Sequence, residues 1–234
     1  MQTPTAIGTP PWTRDDLLAE LDAFAALYAR RPVRDNQGGM KAPHMFATWC
    51  MVRRLAPDLI IESGVWRGQG TWLLEQACPG ARLVCIDVNL RNRAYISPRA
   101  TYSDQDFATQ HWPQATARSL VFFDDHQDAV ARLDQCRRAG LRHLIFEDNY
   151  PPGQGDCRSL KQAFAQGGAA AEALAGQFDI YAEFPPVFQT AATRWNTPWP
   201  PTPAPLLTTP GTPAQQVFLD EAQSYTWICY ARLR

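Results

Sequence analysis

The residues able to do chemistry form a row of acids, each directly after a short apolar run. Glu62 closes Leu59-Ile60-Ile61, and Asp87 closes Leu83-Val84-Cys85-Ile86. Asp124-Asp125-His126 follow Leu120-Val121-Phe122-Phe123, and Glu147-Asp148-Asn149 follow Leu144-Ile145-Phe146. Between the first two acids lie Gly64, Gly68 and Gly70, in the segment IIESGVWRGQGTWLL. Glycines there let the backbone turn tightly and approach a ligand. A helix opening behind them presents free N–H groups. A pyrophosphate-binding turn would show GxGxxG. Glu62 ahead of the glycines would be unhelpful beside a pyrophosphate and suits a ligand with a cationic part. Asp87 follows Gly64 at about the 20-residue spacing expected of an acid that takes ribose hydroxyls.

The acids after the third and fourth runs suit a hard cation with oxygen ligands, such as magnesium. A metal on Asp124, Glu147 and Asp148 would bind both oxygens of a diol, lower the pKa of the attacking hydroxyl and orient it. His126 and Asp148 are the catalytic candidates, with His126 as a general base because imidazole titrates near neutrality. The plainer alternative is that these acids cap helices, or touch a ligand without metal.

The elements that must position these groups read as strand–turn–helix repeats. Nearly continuous apolar strands belong in a parallel sheet covered on both faces, and such sheets bind ligands at the carboxyl edge of the strands. The expected fold is therefore α/β and Rossmann-like, with a mostly parallel central sheet. Ahead of it, Thr13 caps a helix whose stripe includes Leu17, Leu21, Phe24 and Tyr28. A second helix is expected from about Pro43 to Leu55. Residues 1–12 read as a loose tail, and a short strand is expected around Ala94 to Ile96, with a helix near Asp104. Further helices are expected over 128–139, 159–164 and 169–174. Residues 178–184 and 224–231 read as an antiparallel pair of strands, the second closing the sheet. The organisation is an N-terminal helical segment and lid over 1–56, then a cofactor-binding domain over 57–234. Its insertion at 185–213 holds nine prolines with Trp195 and Trp199, too Pro-rich for regular structure and too aromatic for an inert linker.

The segment from Leu59 to Asp87 resembles the first motif of class I S-adenosylmethionine-dependent methyltransferases. That resemblance implies a Rossmann-like domain whose glycine turn lies against the amino acid and ribose of S-adenosylmethionine. Glu62, Gly64, Gly68 and Thr71 would serve the cofactor turn, Asp87 the ribose, and Asp124 the neighbouring wall. The second cluster resembles the metal-assisted small-molecule O-methyltransferases, in the branch of cephalosporin hydroxylase and macrolide-sugar O-methyltransferases. Glu147-Asp148 match the second acidic pair of that branch, and His126 matches its histidine. Aligned on His126 without a gap, Phe123 stands where the first Asp of the motif belongs; Asp124 fills that role with the turn shifted by one residue. The implied activity is methyl transfer to a small hydroxylated, carbohydrate-like acceptor, with a magnesium ion as helper. A metal-independent N- or O-methyltransferase and a non-catalytic binding protein of the same fold remain the alternatives.

Secondary candidates are the polar loop Asn36 to Lys41 with His44 as part of an acceptor lid, and Trp66 and Arg67 inside the turn. Tyr102, Asp104 and Asp106 are expected near the adenosine, and Tyr150 and Asp156 near the acceptor. His143 reads as structural. The chain of 234 residues has a formal net charge of −1 with 19 % charged residues. That balance gives no general pull toward nucleic acid or an anionic membrane, and it does little to oppose a homo-oligomer. The six cysteines show no CxxC pair or zinc spacing. No secretory leader or membrane span is apparent, so a reducing cytoplasm is the expected home.

Overall fold

Side-chain parity along the strands divides the molecule into two layers around one sheet. The computed structural model describes residues 3–234. The parallel strands are β2 (Leu59–Ser63), β3 (Arg82–Ile86), β4 (Ala100–Ser103), β5 (Leu120–Phe123) and β6 (His143–Phe146), joined by β1 (Ala6–Ile7), β7 (Phe178–Glu183) and β8 (Cys229–Leu233). The order across the sheet is β1-β7-β8-β6-β5-β2-β3-β4. Neighbours from β6 to β4 run parallel. The β6–β8, β8–β7 and β7–β1 pairs run antiparallel.

Successive strand residues point to opposite faces. Ile60, Leu120, Phe122 and Ile145 therefore share one core with α1 (Arg14–Tyr28), α2 (Ala42–Leu55) and α3 (Gln69–Ala77). Leu59, Ile61, Val121, Phe123, Leu144 and Phe146 share the other with α4 (Ala129–Arg138), α5 (Leu160–Ala165) and α6 (Gly168–Ala175). A short α7 (Gln216–Asp220) adds Phe218 to the first core. The 1–56 segment thus packs into the same core as the sheet. Local signals place the helix starts. Thr13 and Asp16 form a reciprocal capping box on α1, Ser159 and Gln162 another on α5, and Asp128 caps α4.

Three expectations need correction. The loose tail is instead tied down, because Ala6 pairs with Ala182, and the amide of Glu183 donates to the Thr5 carbonyl. Ala94 to Ile96 is not a strand: the amides of Ala94 and Tyr95 both donate to the Arg67 carbonyl, so they serve the glycine turn, and the edge strand forms at Ala100–Ser103. The helix expected near Asp104 is only one 3₁₀ turn, Phe107–Thr109, capped by Asp106. The closing strand does pair with β7 but begins at Cys229, since Trp227 takes a left-handed φ of 62° that interrupts the extended run. Residues 185–212 contain no helix or strand. No described helix is long and apolar enough to cross a membrane.

Two glycines fix the turn between β2 and α3. A Cβ at Gly64 (φ +96°) would stand 1.9 Å from the Asp124 carbonyl oxygen, and one at Gly68 (φ +84°) would stand 2.2 Å from that of Tyr95. Gly80 has open space where its Cβ would go. Gly64→Ala should therefore cost on the order of 2 kcal/mol in urea unfolding, while Gly80→Ala stays near wild type. Equal stability of the two variants would contradict this close approach.

Candidate active site

Strand register sets the acids in one row. Ser63 pairs with Ile86 on one side and Phe123 on the other, and Phe123 pairs with Phe146. The next residues, Gly64, Asp87, Asp124 and Glu147, therefore lie along the carboxyl edge. Backbone bonds continue the ladder there, from the amide of Gly64 to Ile86, of Asp124 to Ser63 and of Glu147 to Phe123, at 2.8–2.9 Å. Chain order reverses between β2 and β5, the place where open α/β sheets form a crevice. A cleft of about 500 Å³ opens there, lined by Ser63, Gly64, Trp66, Asp87, Asp124 and His126 among others. A second cleft of about 270 Å³ shares Gly38, Asp124, His126 and Asp156 with it and adds Glu147, Asp148 and Tyr150.

Parity then decides what each acid meets. Glu62 shares the face of Ile60 and is fully buried under α2 and α3. Thr71 donates to its Oε2, while its Oε1 has no partner. Burial pushes the Glu62 carboxyl up to about 7 against the lowering hydrogen bonds of Cys85 and Thr71. Glu147 shares the face of Ile145 and meets His44 of α2 at 2.5 Å. The Thr226 amide donates to His44 Nε2 at 2.7 Å. That nitrogen must therefore carry a lone pair, so His44 is the neutral Nδ1–H tautomer and donates to Glu147. Burial, aided by Arg194, holds the His44 pKa down to about 3. On the opposite face Asp125 accepts from Ser63 Oγ at 2.6 Å and pairs with Arg132 of α4 at 2.8 Å. Arg132 also grips Asp106 through both terminal nitrogens.

Asp124, His126 and Asp148 converge, with one ligand atom from each lying within 4.8 Å of the others. Burial first, then Asp148 and other acids, raises Asp124 well above the carboxylate range. Asp148 is 8 % exposed. Its buried Oδ2 lies 3.3 Å from His126 Nδ1 but in no hydrogen-bond alignment. Burial opposes the imidazolium of His126, yet Asp148 and Asp156 outweigh it and its pKa rises. His126 holds a positive φ of 52° and Trp66 one of 46°, strain that persists only where surrounding structure enforces it.

Of the residues expected to serve the cofactor, Gly64, Asp87 and Asp124 line the first cleft. Glu62 and Thr71 stand behind the turn, and Gly68 packs on Tyr95. Asp87 also organises the turn, accepting the Val65 and Trp66 amides at 2.9 Å. Glu147, expected beside Asp148 as a ligand, lies outside the trio because its parity turns it to His44. Tyr150 and Asp156 do line the second cleft, and Asp106 the first. Tyr102 does not face the cleft, because its hydroxyl accepts the Ser97 amide on the outer strand. Arg67 donates to the Asp35 carbonyl and meets no carboxylate, while Trp66 Nε1 donates to Gln37, so the turn clasps the Asn36–Lys41 loop. His143 bonds the Tyr230 hydroxyl, as a structural residue should. Ser63 and Arg132 carried no motif of their own, and the face that Asp125 takes toward them follows from strand parity.

No family model matches the chain, and no curated protein does. Among solved structures it resembles the O-methyltransferase TomG from Streptomyces achromogenes, involved in tomaymycin synthesis and solved with S-adenosylmethionine. Identity is 15 %, the TM-score is 0.51, and the match covers 95 % of this chain and 96 % of that one. The chain has the fold of that O-methyltransferase. Looser likenesses include an O-methyltransferase assigned by name in Klebsiella pneumoniae (16 % identity, TM-score 0.47, 97 % and 91 % covered) and a Mg-SAM structure of CmcI (15 %, 0.44, 62 % and 65 %). The chain spans just under two thirds of the length of the CmcI structures it matches. In this fold the first cleft lies at the carboxyl edge, over Gly64 and Asp87.

The neutral His44 carries a pH signature. Its unfolded ring titrates near 6.5 and its folded ring near 3, so the unfolded state binds the extra proton between those values. This contribution to stability is complete above about pH 6.5 and is lost as pH falls toward the folded pKa. Between about pH 7 and pH 5, His44→Gln should lose less stability than wild type on denaturant titration. Parallel curves for the two proteins would refute the neutral-ring assignment.

Proposed function

We propose that this protein is an S-adenosylmethionine-dependent O-methyltransferase acting on a small hydroxylated acceptor, with a divalent metal assisting. The observation that carries this reading is the joining of two clefts at Asp124 and His126. One cleft holds the glycine turn and ribose acid suited to the cofactor; the other holds acids suited to the acceptor. Asp87 retains carboxylate lone pairs for ribose hydroxyls beside the amides it already accepts. Asp124 and the adjoining turn wall the donor at the point where the second cleft begins.

Methyl transfer is an in-line displacement in which the acceptor oxygen bonds to the methyl carbon as the sulfur leaves as a neutral thioether. Its main requirement is that donor and acceptor be held at attack distance, which joined clefts provide. The acceptor proton must leave as the bond forms. Asp148 Oδ2 is buried, unpartnered and at the second cleft, so with the trio free of metal it is the proton acceptor we assign; with an ion held there it would be a ligand, and the ion's Lewis acidity would lower the pKa of the hydroxyl instead. His126, expected as a general base, lies against Asp148 and Asp156, and with Asp124 and Asp148 it is a ligand candidate for the ion.

The trio suits a divalent ion, since two carboxylates and an imidazole converge and Asp148 Oδ2 lacks a hydrogen bond. Such an ion would supply Lewis acidity toward the acceptor hydroxyl. Asp124, His126 and Asp148 would hold it, while Glu147 stays with His44.

Calorimetry tests the cofactor assignment. S-adenosylmethionine and S-adenosylhomocysteine should both bind, and Asp87→Ala should weaken binding by at least ~10-fold through loss of the ribose contact and the turn amides. If the wild type binds neither ligand, the reading is wrong. The metal assignment is tested by titrating manganese into wild type and Asp148→Asn. Wild type should bind the ion and the variant should lose most of that affinity; equal binding would remove the trio as the site.

A further inference from the structure

The second cleft carries both signs of charge. Its carboxylates come from the strand ends, whereas its cations, Lys41 and Arg194, come from the pre-core loop and the Pro-rich segment. The ion pairs of the described residues all use other cations. Lys41 and Arg194 thus face a cavity without a carboxylate partner, although Asp148, Asp156 and Glu147 line the same walls.

Arg194 is exposed at this cleft, beside Trp195. Its guanidinium carbon stands 5.2 Å from the centroid of the Trp195 ring. Trp195 stacks on Trp227 at 16° between planes and meets Tyr150 edge-on at 84°. Indole nitrogens pin that platform, Trp227 to Thr202 Oγ1 and Trp199 to the Thr190 carbonyl, each at 2.8 Å. The platform fixes the wall from which Arg194 projects, which lowers the ordering cost of that segment when a ligand pairs with the cation.

We infer that the acceptor carries an anionic group, a carboxylate or a phosphate, beside its hydroxyl, and that Arg194 and Lys41 bind that group. This rests on the methyltransferase reading and narrows its substrate class. A neutral polyol entering the cleft would strip water from two cations and return only uncharged hydroxyl acceptors. An anion meets both, and the guanidinium fork matches carboxylate and phosphate oxygens in pairs. The strand-end acids repel that anion, so it lies toward the two loops and leaves the hydroxyl at Asp148. Charge thereby orients the acceptor.

The test is calorimetry on the full chain saturated with S-adenosylhomocysteine and magnesium. Glucose is compared with glucuronate and glucose 6-phosphate, and catechol with 3,4-dihydroxybenzoate. At least one anionic probe should bind ~10-fold or more tightly than its neutral counterpart, and added salt should weaken it. The glucuronate and phosphate arms tell the two anions apart. Arg194→Gln and Lys41→Gln should each remove most of that preference while S-adenosylhomocysteine affinity and Tm stay at wild-type values. Equal binding of charged and neutral probes, binding of no anionic probe, or a preference that survives both substitutions would overturn the inference. Failure of S-adenosylhomocysteine to bind in the preceding titration would instead strike the methyltransferase reading itself.

Discussion

The approach of Gly64 to the Asp124 carbonyl is the constraint on which the rest of the site depends. With no room for a Cβ there, the β2 turn lies directly against the end of β5. That contact puts the cofactor turn and the acidic turn in one wall. Asp124 then belongs to both clefts, and on the proposed reading a donor in one would sit beside an acceptor in the other. A longer side chain at position 64 would separate them. Asp87 secures the same geometry from the other side by accepting the amides of Val65 and Trp66.

Bringing so many carboxylates to one edge has an electrostatic cost. Burial raises the pKa of Glu62, Asp124, Asp125 and Glu147, and repulsion from neighbouring acids adds to it at Glu62, Asp124 and Glu147. Three groups offset it, each on a different side. His44 donates to Glu147, Arg132 pairs with Asp125, and His126 approaches Asp148. Among the described residues Asp124 has no such partner of its own. Perturbed acids gathered in a crevice mark it as a candidate functional site.

Much of this was legible in the sequence, because apolar runs and the acids ending them report strand ends directly. The parallel core, the capped starts of α1 and α5, the β7–β8 pair and the clefts' Gly64, Asp87, Asp124 and Asp156 all follow from local pattern. What local pattern lacked was the face each residue takes. Glu62 and Glu147 look equivalent to Asp87 and Asp148 as acids at strand ends. Alternation turns the first two toward α2 and α3, where Thr71 and His44 receive them. The same alternation sends Asp125 to Arg132. The tail strand β1 was not legible, since two residues of edge pairing carry no periodicity of their own.

The Pro-rich segment shows why composition alone misleads about such stretches. Prolines remove backbone donors and forbid a ladder, so order must come from elsewhere. Here it comes from side chains spaced far apart in sequence. Lys161, buried beside Glu183 at 2.6 Å, donates also to the Pro201 carbonyl at 2.7 Å. Tyr181 bonds both Glu183 and Asn149, and the Lys161 amide bonds Asn149. This buried network ties the 147–149 turn to the segment that carries Arg194. An isolated buried lysine would be costly, and its pairing offsets rather than removes that cost. The return is positional: the wall of the second cleft and the turn bearing Asp148 share one anchor, so they keep their relation to each other without any regular structure between them.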